Sequence, residues 1–124
     1  MKIALVQTNS QIGHIAKNQE NILNLSLKAH QQGASLVLFP SFSLTGLPLL
    51  KGFSLPHLQQ DMNLALKILK EKLPPNLGVF LGSYSKNFKE EIVFFYQGEM
   101  QVFQAKNSQS WQKSPHIYPH ILHF

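Results

Sequence analysis

The sequence predicts an α/β fold, built on a mixed β-sheet with two helices packed on one of its faces. From the N-terminus to about residue 85, apolar runs of strand length alternate with segments of helical periodicity. Two segments rich in β-branched and aromatic residues then flank a short turn that contains glycine. Alternating strands and helices favour parallel pairing, and a hairpin adds antiparallel strands. The sheet is therefore expected to be mixed.

The first strand–helix–strand unit occupies about the first forty residues. Residues 2–8 (KIALVQT) are predicted to form a buried strand, and residues 15–32 a helix whose apolar positions share one face. Gly33 is expected to end this helix because glycine readily adopts the left-handed conformation. Residues 35–40 form the second buried strand. This βαβ unit predicts two parallel strands with the helix across one face.

The second half of the chain is predicted to add one helix and three strands to this unit. A loop over residues 45–57, with two prolines and two glycines, is typical of the loops that border active sites. The elements after it are, in order, a helix over 58–73 ending at Pro74-Pro75, a strand over 77–83, and a hairpin of Ile92 to Tyr96 and Met100 to Ala105 that turns at Gln97-Gly98-Glu99.

The last residues differ in character from the rest. Residues 1–106 are predicted to form one partial domain, and residues 107–124 an irregular tail without sustained periodicity. Three histidines in the tail have spacings of four and three: His116, His120 and His123. On a helix they would share a face and could bind zinc. Two prolines among them oppose a continuous helix, so no metal site and no cofactor are predicted.

Composition limits the classes of function. The net charge is +5, but all eleven basic residues are lysine, and arginine supplies the bidentate phosphate and guanine contacts of many nucleic-acid-binding proteins. No nucleic-acid partner is therefore predicted. No apolar run approaches the ~18 residues of a membrane span, and no basic region with an apolar block follows Met1. The expectation is a cytoplasmic protein without a membrane partner. The sequence has no cysteine, which excludes a thiolate nucleophile within these residues.

Three local sequences resemble the nitrilase superfamily of carbon–nitrogen hydrolases. The first is IALVQTNSQIGHIAKNQENI, with Gly13 and Asn18. The second is GASLVLFPSFSLTGLP, whose SLTGLP part is most similar to the glutamine-amidase domains of NAD synthetases. The third is the hairpin, with its spacing from Gly98 to Lys106. The resemblance covers residues 1 to about 106 and implies the N-terminal half of an αββα sandwich.

The resemblance also implies a site. In such enzymes a cysteine thiolate attacks a small amide or nitrile, a glutamate acts as general base, and a lysine stabilises the oxyanion. Ser41 occupies the glutamate position directly after Phe39-Pro40, and Lys106 falls at the lysine position. A serine hydroxyl does not accept a proton at neutral pH as a carboxylate can. The expected function is therefore that of a truncated, catalytically incomplete homologue of an amidase, with Lys106 as a vestige of its site.

Two alternatives remain at the level of the sequence. Ser41 could itself be a nucleophile, but it lacks the flanking glycines of a serine-hydrolase elbow. The chain could instead be an interaction module that pairs with a complementary C-terminal half or with itself, because two helices cover only one face of a sheet whose strands are apolar on both. Asn18 is predicted to start the helix or tether a loop.

Overall fold

A computed structural model describes residues 1–46, 57–85, 89–107 and 110–111, with side chains described through residue 104. Its helices and strands appear in the predicted order. They are β1 (Ile3–Leu5), α1 (Ile15–Gln31), β2 (Leu36–Leu38), α2 (Leu58–Lys72), β3 (Gly78–Tyr84), β4 (Glu90–Tyr96), β5 (Glu99–Asn107) and β6 (Ser110–Trp111). In the part of the chain that the structure describes, no helix combines the length and apolar character needed to cross a membrane.

The strands form one mixed sheet in chain order, β1-β2-β3-β4-β5-β6. β1, β2 and β3 are parallel, as the βαβ pattern predicts, and β4 and β5 are added as an antiparallel hairpin. Two antiparallel steps restore the direction, so β5 runs parallel to β3. The carboxyl ends of β1, β2, β3 and β5 consequently lie along one edge of the sheet, where ligands bind in open α/β sheets.

Local chemistry sets the ends of the helices. Gly33, with φ of 93°, follows α1 in the left-handed conformation that glycine tolerates. Leu73 is extended after α2, as expected for a residue before proline. β1 and β2 are shorter than the predicted 2–8 and 35–40. Pro40 has no N–H for the ladder, and this shortens β2.

One face of the sheet packs on both helices. Its buried side chains alternate with those of the opposite face, as the pleat requires. This helix-side core contains Ile15, Ile22 and Ala29 of α1, Met62, Ala65 and Leu69 of α2, and Val37, Val79, Leu81, Val93 and Phe95 of the sheet. The two predicted helices therefore cover one face together.

The opposite face carries a smaller apolar cluster. Leu36, Phe94 and Phe103 are buried there, with Ile3, Leu38, Phe80 and Ile92 half-buried around them. The rings of Phe80 and Phe94 stack with centroids 4.4 Å apart. Two helices cover only one face, so the apolar side chains of the other face were expected to be exposed. At the centre of that face this expectation is wrong, because Leu36, Phe94 and Phe103 are buried. It holds at the β1 end, where Leu5 is 78% exposed.

β6 lies within the segment that was predicted to be an irregular tail. Ser110–Trp111 pairs with the end of β5 across a register shift between Ala105 and Asn107, so these two residues are not irregular. The division between a domain at 1–106 and a tail at 107–124 stays a prediction. The three histidines of the tail, and most of the loop over 45–57, lie outside the described residues.

Candidate functional site

Ser41 lies just beyond β2, at the sheet edge where the parallel strands end. The N–H of Phe39 still donates to the carbonyl of Phe80 at 3.1 Å, which keeps the chain beside β3 up to Pro40. The backbone then turns: the N–H of Ser43 donates to the Pro40 carbonyl at 3.2 Å, and the N–H of Gly46 to the Phe42 carbonyl at 2.7 Å. The small and hydroxyl-bearing residues after the strand therefore form a tight turn.

Gly82 of β3 fixes the height of Ser41 above the sheet. A Cβ added at Gly82 would collide with the backbone of Ser41, including its carbonyl oxygen. Gly82 pairs with Ile92. It is two residues after Phe80 on the same strand, so both lie on the face opposite the helices. Ser41 therefore lies against the helix-free face, at a distance that only a glycine beneath it permits.

Asn18 holds the two loops at this edge together. Its side chain is fully buried near the start of α1, and its Oδ1 accepts from the N–H of Gln11 at 2.8 Å. Its Nδ2 donates to the carbonyls of Gln11 at 2.7 Å and Leu44 at 2.8 Å. The structure thus confirms Asn18 as a residue that tethers loops, because one amide satisfies backbone groups of both the β1–α1 loop and the turn after Ser41.

Further hydrogen bonds complete this arrangement, which we call the loop clamp and which comprises residues 8–18 and 40–46. The Ser10 hydroxyl donates to the Ser43 carbonyl at 2.6 Å, and the Gly13 N–H to the Thr45 carbonyl at 3.0 Å. Ser43 Oγ donates to the Pro40 carbonyl at 2.8 Å and accepts from Thr8 Oγ1 at 3.2 Å. Ser41 is thereby held at a fixed place by bonds on both sides of it.

A small cavity of about 50 Å³ borders Ser41. This volume admits one or a few water molecules. Ser83 Oγ is buried beside it and makes no hydrogen bond within the described part of the chain. Glu90 and Glu91 of β4 also line the cavity, and Glu91 accepts from Gln104 Nε2 at 3.1 Å. The carboxylates that line this cavity therefore come from the hairpin.

The sequence alone does not place these two glutamates beside Ser41, because their proximity depends on the register of the hairpin. β4 pairs with β3 so that Glu91 is opposite Ser83 and Glu90 opposite Tyr84. The signal was available in principle, since a turn at Gln97-Gly98 and a long β3 bring the start of β4 to the end of β3.

Lys106 lies near the end of β5, at the same edge of the sheet as Ser41. Two strands stand between β2 and β5, so the strand axes are about 14 Å apart. The side chain of Lys106 is outside the described part, and its role as oxyanion lysine stays a prediction. Within the described ranges, no three histidine, aspartate or glutamate side chains come together as a metal site would require.

Two curated proteins match large parts of this chain. The chain is 35% identical over 89 residues to the glutamine-dependent NAD(+) synthetase of Synechocystis sp., and 36% identical over 70 residues to that of Acinetobacter baylyi. These matches cover 72% and 56% of this chain but only 16% and 13% of the relatives. The chain thus corresponds to a small fraction of each relative's length.

Solved structures share the fold. A glutamine-dependent NAD+ synthetase from Acinetobacter baumannii superposes with a TM-score of 0.71 and 24% identity, over 85% of this chain and 20% of that one. An amidase from Nesterenkonia sp. superposes with a TM-score of 0.68 and 18% identity, over 86% of this chain and 43% of that one. Both likenesses support the predicted α/β architecture.

The family itself is shown by a match along most of the chain. The model of the carbon–nitrogen hydrolase family matches residues 2–107, which include both loops of the clamp, Ser41 and the hairpin. The chain belongs to the carbon–nitrogen hydrolases of the nitrilase superfamily.

Proposed function

We propose that this chain descends from an amidase that hydrolysed a small amide, and that its 124 residues do not catalyse this reaction by themselves. Family membership and amidase-like relatives support the substrate class. The relatives in Synechocystis and Acinetobacter are named as glutamine-dependent enzymes, and one amidase of the same fold was solved as a double mutant with acrylamide. Glutamine and acrylamide share a primary carboxamide, which is the group we assign to the ancestral substrate.

The observation that carries the loss of activity is Ser41. The loop clamp and Gly82 hold the backbone of this residue in place, and the family resemblance assigns it the position of the general base. Its hydroxyl can donate and accept hydrogen bonds, but it does not take a proton from a nucleophile at neutral pH. These residues also contain no cysteine to form an acyl-enzyme. A scaffold in which the base is replaced and the nucleophile is absent is not expected to turn over an amide.

Ammonia release tests this proposal. Purified protein is incubated with glutamine, asparagine, propionamide and acrylamide, beside Ser41→Ala and Ser41→Glu variants. We expect no release above buffer from any of the three, because a base without a nucleophile gains little. Saturable release by the natural chain that disappears in Ser41→Ala would show that Ser41 is a nucleophile and would refute the proposal.

Self-association is a second proposed function, and the edge of the sheet supports it. β1 stands at the end of the strand order, and no strand of the described part pairs with its outer side. Leu5 on this strand is 78% exposed. Open edges with apolar side chains recruit other strands. We propose that a second copy of the chain, or a complementary C-terminal half, pairs along β1.

Sedimentation velocity distinguishes these states. At tens of micromolar, the natural chain is expected to sediment as a dimer or larger species, and Leu5→Lys as a monomer, because an edge lysine opposes strand pairing. Leu64→Lys, on the exposed side of α2, is the matched control and should leave association unchanged. A monodisperse 14.1 kDa monomer for the natural chain would contradict self-association.

A further inference from the structure

The two faces of β5 differ in exposure, and the difference is the reverse of what the helices alone would produce. Met100 and Val102 pair with buried residues of the helix-side core, yet they are 37% and 41% exposed. Phe103 belongs to the apolar cluster on the helix-free face and is only 6% exposed. Side chains of neighbouring residues on a strand point to opposite faces. The face of β5 on which no described helix packs is therefore the covered one.

Neighbouring strands do not account for the burial of Phe103. In the described part of the chain, β4 lies beside Phe103 on one side, and β6 pairs with β5 only at Ala105 and Asn107. A fully buried side chain typically touches about six to twelve other residues, more than one neighbouring strand supplies. Atoms above the sheet face are therefore needed to bury this ring.

Gln101 is a second sign that this face is covered. It pairs with Phe94, so its side chain lies on the helix-free face, two residues before Phe103. Its Oε1 is shielded from solvent and accepts no hydrogen bond from the described part of the chain. An amide oxygen on an open sheet face would be hydrated. Two successive positions on this face of β5 are thus shielded.

The end of β6 places the following residues close to these two positions. β6 runs antiparallel to β5, so the direction in which the chain leaves Trp111 points back along β5 towards Phe103 and Gln101. Residues 112–124 can span up to about 45 Å when extended. Leu36 on β2 is three strand spacings from β5, or about 14 Å. This segment is therefore long enough to cross the whole apolar cluster.

The composition of residues 112–124 suits an apolar face. The segment contains no acidic residue, and two prolines reduce the number of N–H groups that would need partners on burial. Its large apolar and aromatic side chains are Ile117, Tyr118, Ile121, Leu122 and Phe124. We propose that residues 112–124 lie across the helix-free face of their own chain, with these side chains over Leu36, Phe94 and Phe103. This contact is separate from the proposed pairing along β1.

A spin label on the segment tests the proposal in the full chain. The sequence has no cysteine, so His120→Cys provides a single attachment site for a nitroxide. Paramagnetic broadening falls steeply with distance, so the backbone amides of Phe94 and Phe103 should lose most of their NMR intensity. The amide of Leu64, on the exposed side of α2, should keep its intensity because the sheet separates it from the label.

A mixed sample distinguishes this cover from a second copy of the chain. The natural chain, labelled with ¹⁵N and without a nitroxide, is mixed with spin-labelled chain at natural isotope abundance. Broadening confined to the sample in which both labels are on one chain supports the proposal. Equal broadening in the mixed sample would show that a second copy supplies the segment. No broadening at Phe94 and Phe103 in either sample would show that residues 112–124 do not cover the face. Either of these two results overturns the proposal.

Two substitutions in the segment test whether the contact stabilises the sheet. Ile121→Asp places a charge where the proposal requires an apolar contact, so the amides of β4 and β5 should exchange with solvent at least about tenfold faster. His116→Asp, the matched control, adds the same charge at a polar position, and exchange should stay within about twofold of the natural chain. Equal exchange rates in the two variants would contradict the proposed contact.

Discussion

In the loop clamp, Asn18 and Ser43 are as deeply buried as Leu69 is in the helix-side core, but different forces hold them. Leu69 packs among apolar side chains, and such contacts depend little on direction. Asn18 makes its contacts through hydrogen bonds of 2.7 to 2.8 Å, which require particular donors and acceptors. Equally buried residues therefore differ in how well they tolerate substitution. The core should accept apolar exchange of similar volume, whereas the clamp should not.

Replacement of the Asn18 amide is expected to have the largest effect. Asn18→Leu has a similar volume, but it removes the partners that Asn18 gives to the N–H of Gln11 and the carbonyl of Leu44, and the Gln11 carbonyl keeps only the longer bond from the His14 N–H at 3.3 Å. The free energy of unfolding should fall by about 3 to 4 kcal/mol. Leu69→Met, the core comparison, should cost about 1 kcal/mol or less. Urea denaturation measures both, and equal costs would contradict the difference between clamp and core.

Gly46 is expected to have the next largest effect. It has φ of 82°, and an added Cβ would lie 2.6 Å from the Gln11 carbonyl oxygen. Gly46→Ala should cost about 2 to 4 kcal/mol, from backbone strain and displacement of the β1–α1 loop. Gly98→Ala is the matched control, since Gly98 has φ of 73° with no atom within 4 Å of its added Cβ. It should cost about 1 kcal/mol. Equal losses of thermal stability would mean that the close approach at Gly46 has no energetic weight.

Two buried serines separate the effect of burial from the effect of hydrogen bonding. Ser43 hydrogen-bonds to Pro40 and Thr8, whereas Ser26 of α1 is equally buried and its hydroxyl has no partner in the described part. Ser43→Ala should cost about 1 kcal/mol. Ser26→Ala should change stability by less than about 0.5 kcal/mol or stabilise the chain, because it removes a buried polar atom without a partner. Chemical denaturation with the order reversed would show that burial alone, not bonding, decides the cost.

The smallest expected effect concerns Ser41 itself. Ser41→Glu places a carboxylate in a cavity that Glu90 and Glu91 already line. Like charges repel, so this variant should be less stable than Ser41→Gln by about 0.5 kcal/mol at low salt. The difference should disappear in 1 M NaCl, which screens exposed charges. A difference that persists at high salt would indicate a steric rather than an electrostatic cause.

The mixed sheet and the placing of both helices on one face could be predicted because they depend on local patterns. Residues 15–32 and 58–73 show helical periodicity, and the structure places α1 and α2 within one residue of these ends. The hairpin turn could be predicted because Gly98 favours positive φ. The structure shows φ of 54° at Gln97 and 73° at Gly98. The resemblance also located Ser41 at the end of β2.

The surroundings of Ser41 could not be predicted, because they depend on contacts between distant segments. Glu90 and Glu91 are about fifty residues away along the chain, and they reach Ser41 through the pairing of β4 with β3. The burial of Leu36, Phe94 and Phe103 on the helix-free face likewise depends on tertiary packing, not on the apolar pattern of each strand.

The order of the elements, the family and the serine that directly follows Phe39-Pro40 come from the sequence alone, because each is a property of local residue types and their spacing. The tertiary structure alone shows that Asn18 joins two loops, that Gly82 admits the backbone of Ser41, and that Glu90 and Glu91 border the cavity beside Ser41. The physical reason is that hydrogen-bond satisfaction and close packing are properties of atoms brought together by folding. A buried polar side chain looks the same in the sequence whether it makes three hydrogen bonds, as Asn18 does, or none within the described part, as with the hydroxyl of Ser26.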